Sequence, residues 1–393
     1  MLQFFPNDAP TNVSANLKAM RVRDLLIMST GHQDEPSAGA DIVSAKYFLV
    51  QPVPHLPGTH FKYNTAATFM LAAIIQQVTG QTVFDYLRPR LFEPLDIDRP
   101  LWGTNFQGIP LAGSGMRART EDILKLGQLY LQHGRWQGQQ LIPSNWVAMA
   151  TTRQTSNGSD PKSDWNQGYG YHFWRCQNGA YRGDGAGGQF IVVMQDQDTV
   201  VALNSGLKDM QSVLNVIWDK LFPGLHLLAP LPPNPDGDER LRDQLAHLRI
   251  NPAQGAATSP LAAKIFNRKF VFSSNDKRFE SVTLVTSDAG KMLTLTLQID
   301  GKEIAIPCGY NEWKKGQSSL FLGKRNQFPD ELTAGTFAWA GDDTCTIKLD
   351  TFETPYPTLL TLKFNNDDVT LEADSDVPSK TSKWPQLTGR AAK

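Results

Sequence analysis

No stretch of the chain is apolar over the ~18 residues that a membrane-crossing helix requires, so no membrane span is expected. Cysteine is scarce. Cys176, Cys308 and Cys345 stand far apart, and an odd number with no C-x-x-C argues against a disulfide framework or a zinc site and leaves free thiols. An excess of either charge is missing too: the formal net charge is −1, and without a basic surplus nucleic acid is not an expected partner. The 7 histidines are scattered, with no H-E-x-x-H, and no P-loop occurs, so neither a metal nor a cofactor is expected. Met1 to Pro10 lack the basic start and apolar centre of a signal peptide. What remains is a globular composition, 40% hydrophobic and 20% charged, on 393 residues, too many for one ordinary core.

The most informative stretch runs from Pro57 to Gly80. Pro57-Gly58 is a turn signal, and His60 to Tyr63 reads as a short extended piece. Asn64-Thr65 can cap a helix, because their side-chain oxygens accept from the free amides of its first turn. Phe69, Leu71, Ala72, Ile74, Ile75 and Val78 make that helix apolar enough to be buried, and Gly80 ends it. Tyr63 therefore stands at the mouth of a buried helix, with its backbone held and its phenol free to meet a ligand.

Upstream, Met20 to Gly31 reads as a helix ending in glycine, and Gln33 to Pro57 as irregular chain. His32 reads as a solvated loop histidine with a structural role. Downstream, Phe84, Leu87, Leu91 and Leu95 recur at helical spacing, and Thr120 is placed to cap the amphipathic run ILKLGQLYLQHG. Ser114 lies near glycines, but G-x-S-x-G fails at both outer positions, so it is no nucleophile elbow. A second helical unit starts at Pro143. Gly168 to Gly188 then alternates aromatic and polar residues around Asn178-Gly179, a hairpin signal, with two further strands at Phe190 to Met194 and Thr199 to Leu203. Lys208 to Phe222 closes as an amphipathic helix. Gly183 to Gly188 formally matches G-x-G-x-x-G, yet a strand rather than a helix follows, which rules out a dinucleotide site.

F-x-Y-x-[NST]-x(5)-L-x-x-II-x-x-x-TG followed by FEPLDI resembles the serine β-lactamase-related family, which contains class C β-lactamases, D-alanyl-D-alanine carboxypeptidases and esterases. The resemblance covers roughly Met20 to Phe222. It implies an α+β fold, an antiparallel sheet with helices, and acyl transfer on a small-molecule ester or amide, and it points to a periplasmic or secreted location. The family's Tyr-x-Asn motif falls on Tyr63-Asn64-Thr65, with Thr65 where Asn is usual. Tyr63 is then the implied base, a role for which a neighbouring lysine would have to favour the phenolate, and Thr65 an implied substrate contact. The third motif, Lys-Thr-Gly or His-x-Gly, falls on Asp184-Gly185-Ala186, which puts Asp184 and Gly185 in the site and an amide near Gly187 at the oxyanion. A carboxylate at Asp184 would repel a carboxylate substrate, which shifts the expectation to neutral esters or amides.

The family's Ser-x-x-Lys nucleophile lies upstream of the segment matched by Met20 to Gly31, and Met1 to Ala19 contain no such motif. The pattern occurs at Ser205 and Ser274, but in a strand end and a β-turn. The expectation is a chain lacking the nucleophile segment and inactive by itself, with an apolar sheet edge open near Val200 to Leu203. The competing expectation is a non-catalytic, ligand-binding relative.

Leu227 to Pro235, LLAPLPPNP, is a proline-rich linker, and Asp238 to Arg249 a short charged helix. From Phe270 the chain reads as regular short strands, among them SLFLG, which suggests an all-β meander or lipocalin-like barrel. The expected organisation is a hydrolase-like domain over 1–225, a linker over 226–263 and a β-barrel-like domain over 264–393.

Overall fold

The Asp24 side chain caps the start of helix α1 (Val22–Leu26): the Arg21 amide donates to its Oδ2 at 2.8 Å. The helix is shorter than the Met20 to Gly31 pattern suggests. Met28 takes a left-handed φ of 54°, and the Ser29 amide turns back to the Asp24 carbonyl at 2.9 Å, which ends the turn. The computed structural model describes residues 1–36, 39, 41–98, 100–225, 232–318, 331–375 and 383–392. They form two compact units: Met1–Ser205 with Asp209–Pro223, and Gly206–Lys208 with Gly224–Lys393.

In the first unit, the segment expected to be irregular carries helix α2 (Ala45–Leu49), because the Ser44 hydroxyl accepts from the Tyr47 amide at 3.1 Å and caps it. Helix α3 (Thr65–Thr79) is the one the sequence placed after Tyr63. Asn64 caps it and Gly80, with a φ of 70°, ends it. Its Ala67, Phe69, Met70 and Ala73 are buried in one cluster with Leu25, Phe48, Leu49 and Trp174. Helix α4 (Thr120–Leu131) includes its expected cap: Arg119 takes the cap position without a side-chain bond, and Thr120 accepts from Asn204 Nδ2 at 3.1 Å instead. Helix α5 (Ser144–Thr151) follows Pro143.

The hairpin signal corresponds to strands β1 (Trp174–Arg175) and β2 (Tyr181–Gly185), turned through Asn178 and Gly179 at φ of 55° and 74°. Strands β3 (Gln189–Met194) and β4 (Thr199–Leu203) complete a four-stranded antiparallel sheet in the order β1-β2-β3-β4. Helix α4 packs on β3 and β4 through Gly127, where an added Cβ would lie 2.5 Å from Val200 and 2.6 Å from Ile191. The closing helix α6 (Met210–Val216) buries Leu214.

In the second unit, Asn234 caps helix α7 (Pro235–Ala246) by accepting from the Gly237 amide at 3.0 Å. Among the described residues ten strands follow: β5 (Lys269–Phe272), β6 (Phe279–Ser287), β7 (Met292–Ile299), β8 (Lys302–Tyr310), β9 (Lys314–Ser318), β10 (Glu331–Trp339), β11 (Thr344–Thr351), β12 (Tyr356–Asn365), β13 (Asp368–Ser375) and β14 (Leu387–Ala391). Their order is β8-β7-β6-β5-β14-β13-β12-β11-β10-β9, and a parallel pairing of β8 with β10 closes the sheet into a barrel. SLFLG lies outside the described residues. Alternation sends Leu293, Leu295, Leu297, Ile347, Leu349, Leu360, Leu362 and Trp339 into one apolar interior. The end of the expected linker is part of this unit: Trp313 Nε1 donates to the Ile250 carbonyl at 2.8 Å, and Ala256 bridges Trp339. The thiols of Cys176, Cys308 and Cys345 are free and buried.

Candidate active site around Tyr63

The residue after Tyr63 is immobilised from three sides. Asn64 is fully buried; its Oδ1 accepts from the Ala67 amide at 3.0 Å, its Nδ2 donates to Thr30 Oγ1 at 3.4 Å, and its amide donates to Met28 Sδ at 3.4 Å. Thr30 Oγ1 lies 2.8 Å from His32 Nδ1. His32 is therefore not the solvated loop histidine of the sequence reading. It is buried, edge-on to Phe48 at 4.9 Å between ring centroids, and Nε2 has no partner among the described residues. Burial pushes its pKa down to about 4, so at neutral pH it belongs to the packing as an uncharged ring.

The Tyr63 ring stacks on Trp174, 5.4 Å between centroids at 26°, and meets Tyr169 edge-on at 6.4 Å. Trp174 pairs with Arg182 across β1 and β2, so the tyrosine at the mouth of α3 is carried onto the strand that bears Asp184. Arg182 is fully buried. Its guanidinium lies 4.6 Å from the Trp165 ring centroid and 5.6 Å from that of Trp174, and Nη1 donates to the Asp164 carbonyl at 2.9 Å. Nε donates to Asp184 Oδ2 at 2.8 Å, and Nη2 stands 2.8 Å from the same oxygen.

Burial raises the pKa of Asp184 above the usual carboxylate range, and Arg182 pulls it back. Tyr63 keeps 37% of its surface open. Its pKa is nevertheless pushed up to about 12, first by burial among protein atoms and then by the charges of Asp184 and Glu35. The surroundings thus favour the neutral phenol, the reverse of what a lysine neighbour would do. Adjacent Lys62 turns to Asp34, 3.8 Å from Nζ to Oδ1. Glu35 Oε1 accepts from the Thr65 amide at 2.8 Å, where the first turn of α3 welcomes a negative charge.

Gly185 ends β2 and pairs with Gln189. Between them Gly187 and Gly188 take φ of 84° and 87°, a left-handed pair that glycine adopts without strain. Ser205 Oγ lies 2.7 Å from the Gly187 carbonyl and 2.9 Å from that of Gly188, a single hydroxyl proton shared by two acceptors, and its own carbonyl accepts from Gln189 Nε2. In the other Ser-x-x-Lys stretch, Lys277 Nζ stands 3.8 Å from Asp276 and over the Trp384 ring. Among the described residues no group of three or more metal-ligating side chains occurs, and no helix is long and apolar enough to cross a membrane.

The arrangement brings Tyr63 to the Asp184 strand and Thr65 to Glu35. Sequence reasoning missed Arg182 and Glu35. Arg182 had a signal: residues two apart on a strand share a face, so Arg182 and Asp184 were placed to pair. Glu35 lies far from α3 in sequence and carried none.

Residues 9–213 match the model of the family described as Beta-lactamase. The 6-aminohexanoate-dimer hydrolase of Paenarthrobacter ureafaciens is 27% identical over 156 residues, which is 38% of this chain and 40% of that protein. The chain thus spans well under half the length of this curated relative. Among solved structures, a protein described as a 6-aminohexanoate-dimer hydrolase from Bacillus anthracis aligns over 55% of this chain and 63% of its own at 19% identity, with a TM-score of 0.43. The octameric penicillin-binding protein homologue from Pyrococcus abyssi aligns over 96% and 82% at 13% identity, with a TM-score of 0.40.

Proposed function

The chain belongs to the β-lactamase family, and on that premise we propose that its first unit forms two walls of a hydrolase site for a neutral ester or amide. Tyr63 and Thr65 make one wall, and Asp184 with the Gly185 to Gly188 turn makes the other. The observation that carries this reading is the stack of Tyr63 on Trp174, which holds the phenol against the strand pair leading to that turn. Tyr63 acts as a hydrogen-bond donor to the substrate, since a phenol with a pKa of about 12 keeps its proton at neutral pH. The Gly187 amide faces the acyl oxygen as oxyanion donor. The charge of Arg182 is matched by Asp184, and Glu35 adds a carboxylate, so among the described residues a substrate carboxylate meets these anions rather than an unmatched Arg182.

These 393 residues bind the substrate without forming an acyl-enzyme. The Ser205 hydroxyl is engaged by two carbonyls, and Lys277 beside Ser274 faces Asp276 and Trp384. The same observations favour the second reading, a ligand-binding relative without turnover. Intact-mass analysis after exposure to a fluorophosphonate and to a β-lactam tests the point, and no adduct is expected. An adduct on Ser205 or Ser274 would overturn it. Ligand-observed NMR tests the binding: a small neutral ester should bind, its free acid should not, and Tyr63→Ala should abolish the signal. Equal binding of ester and acid would count against the site.

A further inference from the structure

Helix α7 and the turn that follows it present an apolar stripe to solvent. Leu241, Leu245 and Leu248, at spacings of four and three, are 55%, 57% and 74% exposed. Every residue of α7 is exposed except Gly237, which is half-buried and continues the stripe one turn towards the N-terminus. Charge is distributed unevenly along the same helix. Asp236, Asp238 and Glu239 occupy its start and Arg240, Arg242 and Asp243 its middle, while His247 caps it and Arg249 follows just beyond its end. His247 Nδ1 lies 2.7 Å from the Asp243 carbonyl and 3.3 Å from its carboxylate.

We propose that this stripe is the docking surface for a second copy of the chain, with the two α7 helices packed antiparallel. The argument is charge complementarity. Laid antiparallel about Asp243, Leu241 of one copy meets Leu245 of the other, and Gly237 lets Leu248 of the other copy approach. The acidic start of each helix then lies beside His247 and Arg249 of its partner. A parallel pair would set Asp236, Asp238 and Glu239 against their own copies, which like-charge repulsion disfavours. The macrodipoles of the two helices also oppose only in the antiparallel arrangement. A helix this short buries less than the ~1,200 Å² at the low end of stable interfaces, so the dimer is weak and concentration-dependent.

Sedimentation velocity of the full chain, from low-micromolar to submillimolar concentration, is the test. The expected result is a shift from monomer to dimer that Leu241→Asp and Leu245→Asp each weaken at least ~10-fold. Both positions are exposed, so these variants keep the fold, and circular dichroism checks that they do. Mixing a Leu241→Cys chain with a Leu245→Cys chain should give an oxidised heterodimer faster than either chain alone gives a homodimer. Reversing Asp238 and Glu239 to Arg should weaken the dimer, and adding Arg249→Glu should restore it. A monomer throughout the range overturns the proposal, including one whose stripe leucines prove protected by the rest of the same chain. A dimer that survives the Leu→Asp changes overturns it equally, as does a Leu241→Cys chain that crosslinks to itself faster than the mixture does.

Discussion

Arg182 donates from Nε to Asp184 Oδ2 at 2.8 Å along one face of a single strand, with the arginine side chain shut off from solvent and the carboxylate nearly so. The position where the family resemblance implies a cation therefore holds an anion, and its charge is answered from two residues upstream. A buried arginine needs several partners at once, and here the Asp164 carbonyl, Cys176 Sγ and the Trp165 ring supply the rest.

That pair should behave as a unit. Arg182→Met leaves the Asp184 carboxylate buried and unpaired and is expected to cost about 3–5 kcal/mol of unfolding free energy. The double change Arg182→Met with Asp184→Leu removes both charges and should cost clearly less than the sum of the two single changes. Urea unfolding of the four proteins measures the coupling. Additive losses would mean that the two groups do not depend on each other.

Tyr63 should resist ionisation. Its pKa of about 12 arises from burial and from two carboxylates, so removing either charge must lower it. Ultraviolet or carbon-13 tyrosine titration, with Tyr63→Phe to assign the signal, should show a downward shift in Glu35→Gln. A larger shift is expected in Asp184→Asn, because Arg182 is then left unanswered. Glu35 is exposed and its replacement leaves the core intact, so the measurement does not depend on the Asp184 variant folding. Ionisation of Tyr63 below the ordinary tyrosine range would reveal a cation at the site and reverse its role from donor to base.

Local patterns carried most of the fold. Asn64 and Gly80 bound helix α3 because capping is decided within a few residues, and Asn178-Gly179 turned the first hairpin for the same reason. The strand alternation after Phe270 led to the barrel, since its interior takes every second side chain. Features that depend on distant partners were not legible. Helix α2 forms in a stretch rich in Pro and Gly because Ser44 caps it and Phe48 and Leu49 are buried beneath it. His32 looked solvated because nothing nearby in sequence announces the Asn64 and Thr30 network that encloses it. At the proposed site, a family motif is what singled out Tyr63 and Asp184. Glu35 reaches the site only through the tertiary fold.

Acid should loosen the first unit through His32. Its pKa falls from the usual 6.5 to about 4 on folding, so between those values the unfolded chain binds more protons than the folded one. Stability is therefore fully present above pH 6.5 and is lost as pH falls towards about 4. The difference in loss between the wild type and His32→Asn, which keeps a polar atom near Thr30 but cannot titrate, is expected to be roughly 2–3 kcal/mol. Thermal or urea unfolding on either side of that window measures it. Parallel pH profiles in the two proteins would remove His32 as the cause.

Gly127 should not tolerate a side chain, although it sits inside a helix. In an exposed helix interior, alanine in place of glycine gains about 1 kcal/mol. Here the added methyl would stand 2.5 Å from Val200 and 2.6 Å from Ile191, closer than carbon atoms approach, so α4 must lift from β3 and β4 or those side chains must turn. Overpacking of this kind costs about 1–3 kcal/mol, so Gly127→Ala is expected to be neutral to destabilising and Gly127→Leu strongly destabilising. Combining Gly127→Ala with Val200→Ala should recover stability relative to the sum of the two, because the second change vacates the space that the first one fills. The same displacement reaches the proposed site: β3 begins at Gln189, which pairs with Gly185 and bonds to Ser205 behind the glycine turn. Gly127→Leu protein that still folds at low temperature should then bind a neutral ester more weakly than the wild type. Unfolding curves and ligand-observed NMR on the same samples decide it, and a Gly127→Ala protein more stable than the wild type would show that the helix does not pack on the sheet at that distance.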